Sequence, residues 1–166
     1  MAECKSFDPI IDKNSKILIL GSMPGIKSLD AQEYYAHPQN RFWKVIGRIF
    51  NANNLDKQKY KNKTEILLKN NIALWDTIKF CTREGSLDSA IENEKPNEIN
   101  ILLKNYTNIK TICLNGNKAY NALKKYFPKL FTEEKYTIIK LPSTSPANAK
   151  WTIEKLTAEW EKHLKV

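Results

Sequence analysis

Four short apolar runs, each followed by a polar or turn-forming stretch, constrain the fold of this chain more than any other feature. They occur in "KILILG", "IALWDTIKF" from Ile72, "IKTICLNG" and "YTIIKL". Short apolar runs bounded by turn residues are typical of strands buried on both faces, and such strands are usually parallel. Helical patterns lie between them. The alternation therefore predicts an α/β fold, a three-layer α/β/α sandwich with a mostly parallel sheet of about four strands.

The segments between these runs have helical periodicity. In "RFWKVIGRIF", apolar residues recur at helical spacing from Phe42 to Phe50. Further helices are predicted from about Tyr60 to Asn70, over "NEINILLKNY", over "NKAYNALKKYF" and over "WTIEKLTAEWEKHLK". The last of these is predicted to turn Trp151, Leu156, Trp160 and Leu164 inward. Polar residues dominate between Cys81 and Asn97, where we expect a loop with one helical turn near Leu87 to Ile91.

Composition narrows the class of protein. A chain of 166 residues predicts one domain over 1–166. Lys and Arg outnumber Asp and Glu by 27 to 18, which favours a polyanionic partner, with nucleic acid first and a merely solubilising lysine surface as the alternative. Three widely spaced cysteines fit neither a disulfide framework nor a zinc pattern. With no apolar signal or membrane-spanning segment, we expect a cytoplasmic protein.

The strand ends predict where a site lies. In open parallel sheets, ligands bind beyond the carboxyl ends of the strands. The residues at those ends are Gly21 to Gly25, Asp76 to Thr77, Asn115 to Gly116 and Leu141 to Asn148. We expect these stretches to converge, although they are far apart in the chain.

Each of these stretches has a functional and a structural interpretation. "GSMPG" could let a backbone approach a phosphate or a flat ligand, or it could be an ordinary turn. In "LPSTSPAN", the hydroxyls of Ser143, Thr144 and Ser145 could hold phosphate oxygens, or they could cap a turn before the last helix. The amide of Asn115 could pair with a nucleobase edge, or Asn-Gly could only form a turn.

In combination, these motifs resemble a known family. "GSMPG", "YYAHPQNRFW", "IALWD", "LNG" and "LPSTSPAN", in this order, are similar to those of the uracil-DNA glycosylase superfamily, and most of all to its hypoxanthine-DNA (deoxyinosine) glycosylase branch. The resemblance extends from about Lys16 to Trp160. It implies an enzyme that flips a damaged nucleotide out of DNA and hydrolyses its N-glycosidic bond, without strand cleavage by a lysine.

Two departures from the family pattern affect the site. Many relatives have an Asp or Asn that orients water in the first motif, where this chain has Met23. The resemblance then implies that Asn40, in the second motif, takes that task. The last motif has Ser143 where many relatives have a histidine, and Ala147 where others have a larger wedge. A smaller wedge implies weaker opening of the duplex.

These considerations give the following predicted site residues. Asn40 is predicted to be catalytic, with His37 as a rival that could instead fix the turn before Pro38. The residues predicted to bind the base are Asn115, Tyr35, Gly21, Ser22, Met23 and Pro24, with Tyr34 as an alternative stacking surface. The residues predicted to contact DNA are Ser143, Thr144, Ser145, Ala147 and Asn148. Asp76 is expected to brace the site.

Three alternatives stay open at this point. A uracil-specific glycosylase would have the same architecture, since both bases present a carbonyl beside an N–H. A nucleic-acid-binding domain without activity could retain the fold. A domain acting on free nucleotides would bind without strong salt dependence. In the favoured interpretation the partner is DNA with a deaminated base, no metal or organic cofactor is needed, and the protein acts as a monomer.

Overall fold

The computed structural model describes residues 2–165. The strands are β1 (Ala2–Lys5), β2 (Ile17–Gly21), β3 (Ile72–Asp76), β4 (Ile78–Arg83), β5 (Glu92–Pro96), β6 (Thr111–Asn115) and β7 (Thr137–Leu141). The α-helices are α1 (Ile26–Ala31), α2 (Phe42–Ile49), α3 (Tyr60–Lys69), α4 (Ile99–Asn105), α5 (Asn117–Tyr126), α6 (Lys129–Thr132) and α7 (Ile153–Leu164). Short 3₁₀ turns lie at Leu55–Lys57 and Asp88–Ala90. Within residues 2–165, no helix is both long and apolar enough to cross a membrane.

A parallel sheet forms the centre of the molecule. Its four strands have the order β3-β2-β6-β7. Ile19 in β2 lies opposite Leu74 in β3 and Cys113 in β6, and Cys113 lies opposite Ile139 in β7. The prediction of a parallel sheet of about four strands is confirmed. Because the strands are parallel and in register, their carboxyl ends meet at one edge.

Helices cover both faces of this sheet. Alternate residues of β2 point to opposite faces, so that Ile17 and Ile19 pack with α2, α3 and α7, whereas Leu18 and Leu20 pack with α4, α5 and α6. The three-layer prediction is therefore confirmed. In α7, Leu156, Trp160 and Leu164 are buried as predicted, but Trp151 precedes the helix and is only half-buried.

The chain leaves the parallel sheet at Thr77, which corrects the prediction of one strand over "IALWDTIKF". The backbone N–H groups of Thr77 and Ile78 donate to the carbonyls of Gly21 (2.8 Å) and Ser22 (3.1 Å). These bonds turn the chain outward after Asp76. The following residues form β4, which pairs antiparallel with β1 and β5 in a second sheet.

The predicted loop between Cys81 and Asn97 was wrong in part. Its first residues continue β4 to Arg83, and "ENEKP" forms β5. β5 lies at the edge of the second sheet and is mostly exposed. Such a strand has no apolar alternation for sequence analysis to detect. The helical turn was correctly placed, at Asp88–Ala90.

Candidate active site

The carboxyl ends of β2, β3, β6 and β7 open into a cleft of about 970 Å³. The structure brings together every residue that the sequence predicted for the site. The cleft is lined by Gly21, Ser22, Met23, Pro24, Tyr35, His37, Asn40, Asn115, Ser143, Thr144, Ser145, Ala147 and Asn148. Asp76 and Tyr34 also line it. Convergence of the strand ends, expected from the sheet topology, is thus confirmed.

Thr144 connects the two asparagines of the site. Its hydroxyl donates to Asn40 Oδ1 at 3.0 Å and accepts from Asn115 Nδ2 at 3.1 Å. Its backbone N–H donates to Asn115 Oδ1 at 3.0 Å. Thr144 is fully buried. Its burial therefore differs from the predicted contact with DNA: Thr144 forms part of the cleft wall and holds the two carboxamides in one network.

The contacts of Asn40 fix which way its amide points. Oδ1 also accepts from the backbone N–H of Phe42, at 2.9 Å. Both lone pairs of the carbonyl oxygen are then used, by Phe42 and Thr144. The Nδ2 group has no hydrogen-bond partner among the described residues. It is also not buried, so it can donate to a molecule in the cleft. Asn40 therefore presents N–H donors to the cleft.

Asn115 is more completely engaged than Asn40. Its Nδ2 donates to the hydroxyls of Tyr35 (3.0 Å) and Thr144 (3.1 Å). The amide cannot be flipped, since Oδ1 must accept the backbone N–H of Thr144. The predicted role of Asn115 in reading the base stays a prediction, and in this conformation only one lone pair of Oδ1 is available for it.

The hydroxyl of Tyr35 takes part in this hydrogen-bond network, whereas that of Tyr34 does not. The ring of Tyr35 stacks on Phe42 with centroids 4.2 Å apart, and its hydroxyl accepts from Asn115. Burial, together with the nearby Asp76, raises the pKa of Tyr35, so the phenol stays neutral. Tyr34 is buried in the core and donates its hydroxyl to the carbonyl of Asp8.

Two glycines permit the close approaches in this site. A Cβ on Gly21 would lie 2.6 Å from Asp76 Oδ1 and 2.8 Å from the Tyr35 hydroxyl. Gly116 has φ of +95°, and a Cβ there would lie 3.0 Å from that of Ser143. Only glycine tolerates both the conformation and the contact. The end of β2 can therefore press against Asp76, and the end of β6 against the last loop.

Asp76 forms a buried carboxyl group at the end of β3. It is 3% exposed, and its Oδ2 is a buried atom with no hydrogen-bond partner in the described part of the chain. Desolvation, and then the charge of Asp88, raises the pKa of Asp76 to about 8, although Arg83 opposes the shift. A carboxyl group with this pKa is mostly protonated at neutral pH. The sequence identified Asp76 as a strand-end residue but not its buried state.

Arg41 was not singled out from the sequence, yet it holds the last loop. Its guanidinium donates to the carbonyls of Ser145 (2.8 Å), Asn148 (3.1 Å) and Thr144 (3.4 Å), and to that of Trp151. Its own backbone N–H also donates to the Thr144 carbonyl. Arg41 therefore fixes the position of Thr144 relative to Asn40, its neighbour in the chain.

Comparison with known proteins agrees with this architecture. The family model of the uracil DNA glycosylase superfamily matches residues 9–165. The chain belongs to this superfamily. A hypoxanthine DNA glycosylase of Methanosarcina acetivorans is 38% identical over 157 residues, 95% of each chain. Another, of Methanosarcina barkeri, is 42% identical over 115 residues, 69% of this chain and 72% of that one.

A solved structure confirms the superfamily fold. It is a solution NMR structure from M. acetivorans, described as a candidate uracil DNA glycosylase. The TM-score is 0.83 at 36% sequence identity, and the match covers 99% of this chain and 98% of the other.

Met23 occupies the first-motif position where many members of the superfamily have an Asp or Asn. It is 6% exposed and packs in a small core with Cys4, Ile78 and Cys81. Its side chain is therefore held by packing, and a thioether offers only a weak acceptor in any case.

His37 lies in the turn before Asn40. Its Nδ1 accepts the backbone N–H of Gln39 at 3.1 Å, and its carbonyl accepts that of Asn40 at 3.0 Å. In the neutral ring the proton is then on Nε2. These contacts support the structural alternative for His37, while a direct role stays a prediction.

The last-motif loop, residues 142–148, stabilises itself with its own hydroxyls. Ser143 Oγ accepts from the backbone N–H of Ser145 at 3.1 Å, and Ser145 Oγ accepts from that of Ala147 at 3.2 Å. Asn148 Nδ2 donates to the Ser143 carbonyl at 3.0 Å. The two serine hydroxyl hydrogens remain to donate, so contact with phosphates stays a prediction for this loop.

Proposed function

We propose that this protein is a DNA glycosylase that flips a deaminated base, hypoxanthine foremost, out of DNA and hydrolyses its N-glycosidic bond. The observation that carries the proposal is the hydrogen-bonded set of Asn40, Thr144 and Asn115 beside the buried Asp76, in one cleft at the sheet edge. The relatives named hypoxanthine DNA glycosylases, at 38% and 42% identity, support the choice of base.

The donors at the site match the needs of this reaction. As the glycosidic bond breaks, the sugar becomes cationic and the departing base gathers negative charge. The Nδ2 group of Asn40 would hold a water molecule through its oxygen, beneath the anomeric carbon. An amide cannot take the proton. This suits a dissociative reaction, in which the water becomes acidic only after the bond has lengthened.

Asp76 is suited to bind the base of the flipped nucleotide. As a neutral acid it can donate one O–H, through Oδ1, to the carbonyl at a lactam edge, because Oδ2 is buried. Hypoxanthine and uracil both present such an edge, so Asp76 would favour deaminated bases without choosing between them. In the substrate complex, Tyr35 and Asn115 would support the pocket beside it.

Release of base from defined duplexes tests the proposal. Duplexes with a single deoxyinosine or deoxyuridine are incubated with the protein in excess chelator and then treated with alkali, which cleaves at abasic sites. We expect cleavage at deoxyinosine, and none before alkali treatment. Dominant cleavage at deoxyuridine would favour the uracil-specific alternative, which the description of the solved relative supports. No release from either duplex would refute the glycosylase proposal.

The amide of Asn40 is expected to contribute directly to the rate. Asn40→Ala should slow base release at least about tenfold, a deficit of about 1.4 kcal/mol in transition-state stabilisation, while affinity for undamaged DNA stays unchanged. Single-turnover rates and fluorescence anisotropy measure the two quantities. Asn100→Ala, an exposed position in α4, is the matched control.

The variant Asn40→Ser distinguishes a catalytic role of the Asn40 amide from a role as acceptor for the Phe42 N–H at the start of α2. Serine retains an acceptor for the Phe42 N–H but has no amide group. We expect it to be as slow as the alanine variant. Full activity in Asn40→Ser would mean that Asn40 serves only to start α2.

We further propose that the protein acts as a monomer in the cytoplasm, without a metal or organic cofactor. The free thiols of Cys4, Cys81 and Cys113 are all buried, consistent with a reducing compartment. No cluster of three or more potential metal ligands occurs among residues 2–165. Sedimentation velocity with and without duplex DNA tests the oligomeric state.

A further inference from the structure

Two large apolar side chains are exposed at the mouth of the cleft. Leu87 is 60% exposed and Ile26 is 48% exposed, and both line the cleft. Single exposed apolar residues are ordinary on protein surfaces. Two of them that line the same cleft call for a physical explanation.

The segment that carries Leu87 is held against the first-motif loop, residues 21–25, and the start of α1. The backbone N–H of Ile26 donates to Ser86 Oγ at 2.9 Å, and Ser22 Oγ donates to Asp88 Oδ1 at 2.6 Å. These bonds flank Leu87 on both sides in the chain. The leucine is therefore presented to solvent by a segment with fixed anchor points, in contrast to a free loop tip.

The buried side chain of Arg83 also holds this segment in place. It is 1% exposed, and it donates to the carbonyls of Pro24 and Ser86. One buried guanidinium thus ties the loop after β2 to the loop after β4. Ile26, the first residue of α1, directly follows the first of these loops, and Leu87 lies in the second.

The last-motif loop, which also lines the cleft, has no comparable exposed side chain. Its exposed apolar residues are Pro146 and Ala147. Alanine has a single methyl group, too small to fill the space of a base. Leu87 is the most exposed large apolar residue of the described chain.

Extruding a nucleotide from duplex DNA leaves a gap, and the unstacking costs a few kcal/mol per step. An apolar side chain inserted between the base pairs offsets part of that cost. We propose that Leu87, supported by Ile26, enters this gap and acts as the wedge that keeps the duplex open. The proposal rests on the proposed glycosylase function, and it transfers the wedge role from the last-motif loop to the loop after β4.

The test compares Leu87→Ala on substrates that differ only in the need for a wedge. Single-turnover release of hypoxanthine is measured on a fully paired duplex, on a duplex with a mismatch on each side of the lesion, and on the single strand. We expect about a tenfold loss on the paired duplex and less than about twofold on the single strand, since only the duplex requires the gap to be held open. Leu87→Met should retain most of the duplex activity.

Ile101→Ala is the matched control, because Ile101 is 45% exposed but lies in α4 and outside the cleft lining. An equal loss on all three substrates would mean that Leu87 covers the flipped base, and would refute the wedge. Unchanged rates on all three would also refute it. In both cases the glycosylase proposal stands, whereas an inactive parent protein would refute that proposal first.

Discussion

Arg41→Ala is expected to lower the free energy of unfolding by about 3 kcal/mol and the rate of base release by about a hundredfold. Arg41 donates to the carbonyl of the buried Thr144 and to three carbonyls after it in the chain, those of Ser145, Asn148 and Trp151. Its removal takes away these four hydrogen bonds, although the carbonyls of Thr144, Ser145 and Asn148 each keep a backbone N–H donor. It also frees Thr144, which positions both Asn40 and Asn115. Displacements of about 1 Å at a reacting group cost rates of this order.

Thermal unfolding and single-turnover kinetics measure these two effects. For a domain of this size, the expected loss corresponds to a fall in Tm of about 10 °C. Rates are taken well below the variant's Tm, so that unfolding does not contribute. Arg41→Lys should recover only part of the activity, because one ammonium group cannot reach four carbonyls in different directions.

Arg48→Ala, in the helix that directly follows Arg41, provides the control for loss of a positive charge. The Arg48 side chain is 51% exposed and lies 3.7 Å from Glu154. Exposed ion pairs contribute little, so its unfolding free energy should change by less than about 0.5 kcal/mol. If Arg41→Ala were as mild as this control, Arg41 would not be what holds the last loop.

The layered fold and the site edge were predictable because their physical signals are local. Each buried strand of the central sheet is a short apolar run, and each helix packed on it has an apolar stripe. Once the strands are parallel, the residues after them must share an edge. Asn115 and Asp76 were therefore placed correctly from position alone. Asn40 lies before α2, and only the family resemblance pointed to it.

The remaining features depend on contacts between distant segments. Arg41 looks like an ordinary solvated residue at the start of a helix, until the loop after β7 returns to it. Thr144 looks like its serine neighbours, but it points inward. β5 has a polar sequence and is a strand only because β4 supplies hydrogen bonds. In each case the conformation is stabilised by contacts with a segment distant in the chain, and no local sequence pattern reveals those contacts.

The activity of the parent protein is expected to fall as the pH rises through about 8, roughly tenfold per unit, and Asp76→Asn is expected to remove this decrease. The proposed role of Asp76 requires its neutral acid, which is lost above its pKa. Asparagine keeps one donor group and one acceptor without titrating. Release of hypoxanthine from a duplex, measured between pH 6 and 10 at constant ionic strength, gives the two profiles.

Asp88→Asn tests whether the decrease belongs to Asp76. The Asp88 charge raises the pKa of Asp76, whereas Arg83 lowers it. Removing the charge of Asp88 should therefore shift the decrease to lower pH. A decrease that persists unchanged in Asp76→Asn would assign it to another group, and would end the role of Asp76 as a neutral donor.

The pH dependence of the unfolding free energy is an independent test of whether Asp76 is protonated in the folded protein. Unfolded Asp76 has a pKa of about 4, and folded Asp76 one of about 8. Between these values Asp76 is protonated in the folded state and ionised in the unfolded state. The stabilising effect of this proton is therefore complete below pH 4 and is lost as the pH rises to 8. In this window, the unfolding free energy should fall by about 1.4 kcal/mol per pH unit at most relative to Asp76→Asn. Denaturant titrations at several pH values measure the difference. Parallel curves for parent and variant would show that Asp76 is ionised in the folded protein, in which case it would repel the negative charge that develops on the leaving base.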